Sequence, residues 1–281
     1  MHCRCRGAVP VSDYDERYLA VAGQRIRVSV RRGTGIPLVL CNGIGASLEV
    51  LEPLVAAVDP ETTVIRFDVP GTGGSPTSVL PYGFPYLAWM LGRALSQLGY
   101  GVVDVLGLSW GGALAQQFAF QNPRRCRRLV LVATGTGAVM VPGHPRVLGK
   151  MLTPRRFRDP NYAASIAGEL YGGKVREHGD DVARIFLAQL HAGSKVGYIH
   201  QLLAGSVWTS LPALPMIRQQ TLIVAGTDDP IIPVVNARIM NRLLPHSRLH
   251  LHSGGHIDLV TNAPELAPVI VSFLRNPGVS P

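Results

Sequence analysis

Short apolar runs rich in β-branched residues alternate with longer segments of helical periodicity along most of this chain of 281 residues. We predict strands at residues 37–41, 63–67, 102–106, 129–132, 221–224 and 249–251, and helices at residues 47–58, 86–98, 111–121, 236–244 and 264–274. Strands that are separated by crossover helices pair in parallel. The pattern therefore predicts an α/β fold with a mostly parallel central sheet flanked by helices, preceded by an antiparallel hairpin at residues 18–22 and 25–30.

The alternation stops between residues 138 and 215. Segments of helical character replace it at residues 162–171, 181–191 and 197–208. Ligands of open α/β folds bind just beyond the carboxyl ends of the strands, so we expect this stretch to be a helical cap insertion over that edge. The predicted division is a core of residues 1–137 and 216–281 and a cap of residues 138–215.

The composition excludes several classes of protein. Hydrophobic residues make up 47% of the chain, which is too many for a disordered protein. The net charge is +9, but the basic residues form short scattered clusters without a nucleic-acid motif, so we expect a solvated surface and no nucleic-acid partner. The four cysteines lack the spacing of zinc ligands, and no pattern calls for a metal or an organic cofactor.

No segment has the pattern of a signal peptide or of a membrane span. The first twenty residues contain several charges and no apolar core. The longest nearly apolar stretch, residues 129–141, is too short to cross a bilayer and is interrupted by two glycines. We therefore expect a cytoplasmic protein without an integral membrane segment.

The run Gly107-Leu108-Ser109-Trp110-Gly111 lies between a predicted strand and a predicted helix. Small residues at both ends of a G-x-S-x-G run allow the strained strand-to-helix turn that projects a serine hydroxyl outward. A serine is a poor nucleophile at neutral pH unless a histidine accepts its proton and a carboxylate orients that histidine. The run predicts that Ser109 is a catalytic nucleophile.

The partners that we predict for Ser109 follow two later strands. Asp229 comes just after the strand at residues 221–224, and His256 lies in a glycine-containing loop after the next strand. The order Ser, Asp, His is the one expected when all three lie at the carboxyl edge of an α/β sheet. Ser109, Asp229 and His256 are therefore the predicted catalytic triad.

Other titratable residues compete for these roles. Asp228 is adjacent to Asp229 and is assigned to capping the turn, because Asp229 directly precedes Pro230. Asp104 lies toward the wrong end of its strand, and Asp258 is a minor alternative carboxylate beside the histidine. The two remaining candidates, within or at the end of a strand, are assigned to surface or packing positions: His250 and His252.

The oxyanion of an acyl transfer needs two backbone donors. We assign them to the N–H of Trp110, the residue after the nucleophile, and to the N–H of Ile44 in the loop Asn42-Gly43-Ile44-Gly45. A second glycine-rich run, residues 68–75, lacks the lysine of a phosphate-binding loop and is predicted to be a tight structural turn.

With these residues the chain resembles the α/β-hydrolases, and over about residues 14–274 it is similar to intracellular medium-chain-length poly(3-hydroxyalkanoate) depolymerases. The motifs that carry the resemblance are residues 41–49, 66–76, 107–117 and 228–230. The resemblance implies an α/β-hydrolase fold and a serine hydrolase that cleaves ester bonds through an acyl-enzyme, without a cofactor. It further implies an aliphatic polyester or its oligomers as substrate and the surface of a polymer granule as a partner.

Apolar residues of the cap could line a cleft for aliphatic chains, dock on a granule or form the core of the cap itself: Met140, Val141, Leu148, Met151, Leu152, Phe157, Ile185, Phe186, Leu190, Tyr198, Leu202, Leu203 and Trp208. A small-ester or lactone carboxylesterase and a cofactor-free haloperoxidase-like perhydrolase would use the same triad. A binding protein on the same scaffold is disfavoured, because a receptor does not require a positioned Asp and His.

Overall fold

The structure, a computed structural model, describes residues 14–176 and 193–275. The strands, in chain order, are β1 (Tyr14–Val21), β2 (Gln24–Arg31), β3 (Thr34–Cys41), β4 (Thr62–Phe67), β5 (Val103–Leu108), β6 (Cys126–Val132), β7 (Gln220–Gly226) and β8 (Ser247–His252). They form one sheet in the order β1-β2-β4-β3-β5-β6-β7-β8. The pairs β1–β2 and β2–β4 are antiparallel and the others are parallel, which confirms the predicted sheet and hairpin.

The helices are α1 (Glu52–Ala57), α2 (Phe84–Gln97), α3 (Trp110–Gln121), α4 (Pro145–Gly149), α5 (Pro160–Tyr171), α6 (Lys195–Val207), α7 (Val235–Leu243), α8 (Asp258–Thr261) and α9 (Ala263–Arg275). Short 3₁₀ turns occur at Leu48–Leu51, Pro154–Phe157, Gly173–Arg176 and Leu214–Met216. The predicted helix at residues 47–58 is divided into a 3₁₀ turn and α1, where Pro53 occupies one of the first two helical positions.

Alternate residues of the strands enter two separate cores, one on each face of the sheet. In β3, Val39 and Cys41 join the core that packs against α2 and α3, whereas Leu38 and Leu40 join the core that packs against α1 and α9. This two-residue period with both faces apolar is the reason that the strands read as continuous hydrophobic runs. The sheet is therefore buried on both sides, and its carboxyl edge is the place where a site can open.

The cap region lies between β6 and β7 and contains α4, α5 and α6. The Asp159 side chain accepts a hydrogen bond from Tyr162 N at the start of α5, and the Ser194 side chain accepts one from Gly197 N at the start of α6. Two of the three predicted cap helices are thus present, and the third, residues 181–191, lies outside the described residues. The domain division at residues 138 and 215 stays a prediction.

In the part of the chain that the structure describes, no helix is both long enough and apolar enough to cross a membrane.

Candidate active site

Ser109 lies in the sharp turn between the end of β5 and the start of α3. Its backbone has φ 54° and ψ −119°, a strained conformation that costs roughly 1–3 kcal/mol in a non-glycine residue. A Cβ atom on Gly107 would lie 2.4 Å from the carbonyl oxygen of Gly111, and one on Gly111 would lie 2.1 Å from that of Cys41. Both ends of the turn therefore require glycine, which is the physical content of the G-x-S-x-G pattern.

Backbone contacts hold the strained serine in place. Ser109 N donates to Val132 O at 2.9 Å, and Ser109 O accepts from Gly112 N at 2.8 Å and from Thr134 Oγ1 at 2.7 Å. These bonds tie the turn to the end of β6 and fix the backbone from which the Ser109 side chain extends toward His256. The position of the Ser109 hydroxyl is consequently determined by a fixed backbone and by the rotation of one side-chain bond.

The structure brings the three predicted triad side chains together. His256 Nε2 lies 2.8 Å from Ser109 Oγ, and His256 Nδ1 lies 2.7 Å from Asp229 Oδ2. When Nδ1 donates its proton to Asp229, Nε2 keeps the lone pair that can accept the hydroxyl proton. The imidazole and the carboxyl group are 4% and 1% exposed, so their interaction is protected from competing water.

Asp229 and the histidine are themselves oriented by backbone groups. Asp229 Oδ1 accepts hydrogen bonds from Ile231 N and Ile232 N, both at 2.9 Å, which leaves Oδ2 for the imidazole. His256 N donates to Tyr171 O at 2.7 Å, so the end of α5 in the cap region fixes the loop that carries the histidine.

Asp228 points away from the site. Its carboxylate accepts from Arg176 Nη2 and from Gly173 N, both at 2.8 Å. The hydrogen bond from Arg176 holds the pKa of Asp228 below its usual range. The assignment of Asp228 to capping its own turn is therefore wrong: it tethers the 3₁₀ turn Gly173–Arg176 of the cap region.

The other competing residues also have different partners. Asp104 lies near the start of β5 and pairs with Arg127, and burial raises its pKa. Asp258 Oδ1 accepts from Gly255 N at 3.0 Å, and its Oδ2 lies 3.7 Å from His252 Nδ1. Burial lowers the pKa of His252. Asp258 thus fixes the glycine next to His256 and does not contact the imidazole partner of Ser109.

The two predicted oxyanion donors lie beside the serine. The N–H of Trp110 is in the first turn of α3, where a helix offers no internal acceptor. The loop that carries Ile44 comes close as well, since a Cβ atom on Gly43 would lie 3.8 Å from Ser109 Cβ. Asn42 stabilises this loop by donating to Ser47 O at 2.6 Å and accepting from Gly43 N at 2.8 Å. The role of the two N–H groups stays a prediction.

The turn at residues 68–75 is hydrogen-bonded to the 3₁₀ turn Leu48–Leu51, which follows the loop that carries Ile44. Asp68 is buried and accepts hydrogen bonds from Leu48 N at 2.8 Å and Gly74 N at 2.9 Å, with Arg27 Nη1 at 3.4 Å. Burial raises the pKa of Asp68 to about 6. The turn also supports the cap region, because Ser194 N donates to Gly71 O at 2.9 Å.

Two cavities meet at Ser109. One, of about 50 Å³, is lined among others by His256, Met151 and Arg156. The other, of about 270 Å³, is lined among others by Trp110 and Trp208. Ser109 and Ile44 belong to both walls, so the serine hydroxyl stands between two largely apolar spaces.

The cap residues named from the sequence divide between these walls and other positions. Met140, Met151 and Trp208 line the cavities, whereas Val141, Leu152 and Leu203 are exposed. The structure does not describe the side chains of Phe157, Ile185, Phe186 and Leu190. Three residues at the site were not predicted from the sequence: Thr134, which contacts Ser109, Arg156, which lines a cavity, and Gln201, which contacts the loop that carries Ile44. Only Thr134, just after a strand, carried a positional signal.

No cluster of three or more His, Cys, Asp or Glu side chains that could hold a metal ion occurs in the part of the chain that the structure describes.

A serine in a strained strand-to-helix turn, with an imidazole and a carboxyl group from later strand ends, defines the α/β-hydrolase class. The model of the alpha/beta hydrolase fold family matches residues 36–263, and the chain belongs to this family. Within this family, the chain is 47% identical over 264 residues to the poly(3-hydroxyalkanoate) depolymerase of Ectopseudomonas oleovorans. The aligned region covers 93% of each of the two chains.

Solved structures share the fold. The chain is similar to the enol-lactonase from Burkholderia xenovorans LB400, with a TM-score of 0.80, 23% identity and coverage of 92% of this chain and 100% of that one. It is also similar to a thermophilic esterase from Thermogutta terrifontis, with a TM-score of 0.77, 23% identity and coverage of 93% and 98%.

Proposed function

We propose that the protein is a serine hydrolase that cleaves the ester bonds of medium-chain poly(3-hydroxyalkanoate) or its oligomers through an acyl-enzyme. The observation that carries this proposal is the hydrogen-bonded chain Ser109–His256–Asp229 at the junction of two apolar cavities. The 47% identity to the depolymerase of E. oleovorans supports the choice of polyester.

In the acylation step, His256 Nε2 accepts the proton of the Ser109 hydroxyl as Oγ attacks the ester carbonyl carbon. Asp229 stabilises the imidazolium that forms, and the N–H groups of Ile44 and Trp110 donate to the oxyanion. The tetrahedral intermediate collapses when the C–O bond to the alcohol breaks and His256 returns its proton to that oxygen. Water, activated by His256, then hydrolyses the acyl-enzyme and regenerates the serine.

The two cavities suit an ester that is aliphatic on both sides of the scissile bond. His256 lines the smaller cavity, so the departing alcohol, which receives its proton, occupies that side. The acyl chain occupies the larger cavity, which Trp110 and Trp208 line. A small alcohol or a compact lactone would leave one of these apolar spaces unfilled, and burial of apolar surface is the main source of affinity for such a chain. This two-sided arrangement favours a polyester over a small ester.

The position of the protein in the cell belongs to the same proposal. We place it in the cytoplasm, at the surface of the polymer granule that supplies its substrate.

The test is the release of 3-hydroxy acids from amorphous medium-chain polyester granules by the purified protein. Ser109→Ala serves as the matched variant, because it removes only the hydroxyl oxygen and keeps the turn. We expect release by the wild type and a loss of at least about 10⁴-fold in the variant. Full turnover by Ser109→Ala would refute the nucleophile. Cleavage of soluble esters without release from granules would refute the polymer and leave a small-ester hydrolase.

A further inference from the structure

Gln201 of α6 is fully buried and contacts the segments that form the proposed oxyanion hole. Its side-chain Oε1 accepts a hydrogen bond from Gly45 N at 2.9 Å, in the loop that carries Ile44. Its backbone carbonyl accepts one from the indole Nε1 of Trp110, also at 2.9 Å. One cap residue therefore contacts both segments that carry the proposed donors, the loop of Ile44 and the start of α3.

The amide nitrogen of Gln201 has a hydrogen-bond partner of its own. Nε2 donates to Thr72 Oγ1 at 2.5 Å, in the turn at residues 68–75. Thr72 is buried as well, so neither partner has water as an alternative. The backbone N–H of Gly45 can only donate, so the amide oxygen must face Gly45 and the amide nitrogen must face Thr72.

The contact with Gly45 acts on the peptide next to the proposed donor. Gly45 adopts φ 71°, a left-handed conformation, and its N–H belongs to the peptide plane that follows Ile44. Fixing that plane limits the rotation of Ile44 and thereby the direction of the Ile44 N–H. Without an acceptor the buried Gly45 N–H would be unpaired, which costs free energy. The peptide would rotate to pair this N–H elsewhere, and the conformation of the loop would change.

We propose that Gln201 is a positioning residue that holds the oxyanion hole in its active geometry from the cap. This inference rests on the proposed function, since it presumes acyl transfer at Ser109. An oxyanion donor acts on the transition state more than on the bound substrate, so the proposal requires an effect on kcat and not on KM.

The experiment compares Gln201→Met with the wild type on p-nitrophenyl octanoate. Methionine has nearly the same shape and removes the amide oxygen. We expect kcat to fall 10- to 100-fold while KM changes less than threefold. The inhibition constant of an alkyl trifluoromethyl ketone, whose adduct with Ser109 places an oxyanion in the hole, should rise by the same factor as kcat/KM falls.

Gln219→Leu is the matched control. Gln219 is also a buried glutamine, but its side chain donates to Ala119 O at 3.0 Å near the far end of α3. We expect it to lower stability without changing kcat or the affinity of the ketone. Gln201→Glu, which keeps an oxygen acceptor for Gly45, should recover kcat to within about fivefold of the wild type. Should Gln201→Met fail to fold, Gln201→Asn, which is one CH₂ group too short to reach Gly45, should show the same loss of kcat.

A kcat and a ketone affinity within threefold of the wild type in the folded Gln201 variant would overturn the inference. An equal loss in Gln219→Leu would overturn it too, because the effect would then be one of general stability. Ser109→Ala on the same ester separates this failure from failure of the proposed function: an inactive Ser109→Ala beside an active Gln201→Met refutes only the role of Gln201.

Discussion

Asp228 and Asp229 are adjacent in the chain, but their side chains serve different parts of the molecule. Asp229 lies 2.7 Å from His256 Nδ1, whereas Asp228 pairs with Arg176 at 2.8 Å and is about half exposed. The difference follows from the two backbone donors, Ile231 N and Ile232 N, that direct Asp229 inward. The pair therefore offers a comparison in which the chemistry of the change is constant and only the position differs.

We expect Asp229→Asn to lower kcat by about 10³- to 10⁴-fold, because an amide would favour the wrong imidazole tautomer. Asp228→Asn should keep kcat within threefold and change the free energy of unfolding by less than about 1 kcal/mol, as for other exposed ion pairs. Steady-state kinetics and urea unfolding of both variants check these values. Comparable losses of activity in the two variants would contradict the assignment of the triad carboxylate.

We expect the carboxyl group of Asp68 to make the stability of the protein depend on pH. Burial raises the pKa of its carboxyl group to about 6, above the value of about 4 expected in the unfolded chain. Between these two values the folded state binds a proton that the unfolded state does not, so lowering the pH stabilises the fold through this group. The contribution is fully present below pH 4 and is lost as the pH rises through 6.

Urea unfolding of the wild type and of Asp68→Asn between pH 4 and pH 7 tests this dependence. The free energy of unfolding of the wild type minus that of the variant should increase by roughly 1–3 kcal/mol as the pH falls over this range. A difference that decreased on acidification would instead show that Arg27 and the backbone donors keep the carboxylate charged.

At the scale of elements, α6 both covers the active site and lines it. Its residue Gln201 contacts the loop that carries Ile44, and one turn later Gly205 forms part of the wall of the larger cavity. A Cβ atom on Gly205 would lie 3.6 Å from Trp110 Cδ1, which is an ordinary packing distance. A Cβ atom can therefore be added at this position without displacing the helix.

We expect Gly205→Leu to fill the acyl side of the cleft and to shorten the preferred substrate. The ratio of kcat/KM for p-nitrophenyl octanoate to that for p-nitrophenyl acetate should fall at least tenfold. Gly205→Ala is the control, since it adds only the tolerated Cβ atom, and it should stabilise the helix by up to about 1 kcal/mol. An unchanged ratio in Gly205→Leu would mean that the acyl chain does not occupy this cavity.

The strands were the elements that the sequence predicted best. Five of the six predicted core strands lie within the observed ones, and β5 extends to Leu108 and delivers Ser109 directly into the turn. Apolar, β-branched runs indicate such strands because both faces of the sheet are buried. The helix boundaries differed by a few residues, because capping by Asp159 and Ser194 starts α5 and α6 earlier than their apolar periodicity does.

At the scale of the whole molecule, aromatic packing joins the core to the cap. Phe84 at the start of α2 is fully buried, and its ring centroid lies 4.6 Å from that of Trp110 and 4.9 Å from that of Trp208. Trp208 follows α6, so this cluster connects one face of the sheet, the turn at Ser109 and the cap region. Removal of an aromatic ring from this cluster should therefore destabilise all three regions.

We expect Phe84→Ala to destabilise the protein by about 3–5 kcal/mol, the usual cost of removing a buried phenyl ring. Phe120→Ala on α3 is the control, because Phe120 is 39% exposed and should cost less than about 1 kcal/mol. Urea unfolding measures both values. Equal stability of the two variants would show that core and cap are not joined through this cluster.

The sequence by itself determined the alternation of strands and helices, the turn at Ser109 and the candidates for its partners. These features depend on periodicity and turn chemistry within a few residues, which a chain records locally. The tertiary structure decided that Asp228 serves the cap, that Gln201 reaches Gly45 from 156 positions away, and that two cavities meet at the serine. Such contacts join residues that only the packing of the complete fold brings together, and no local pattern specifies them.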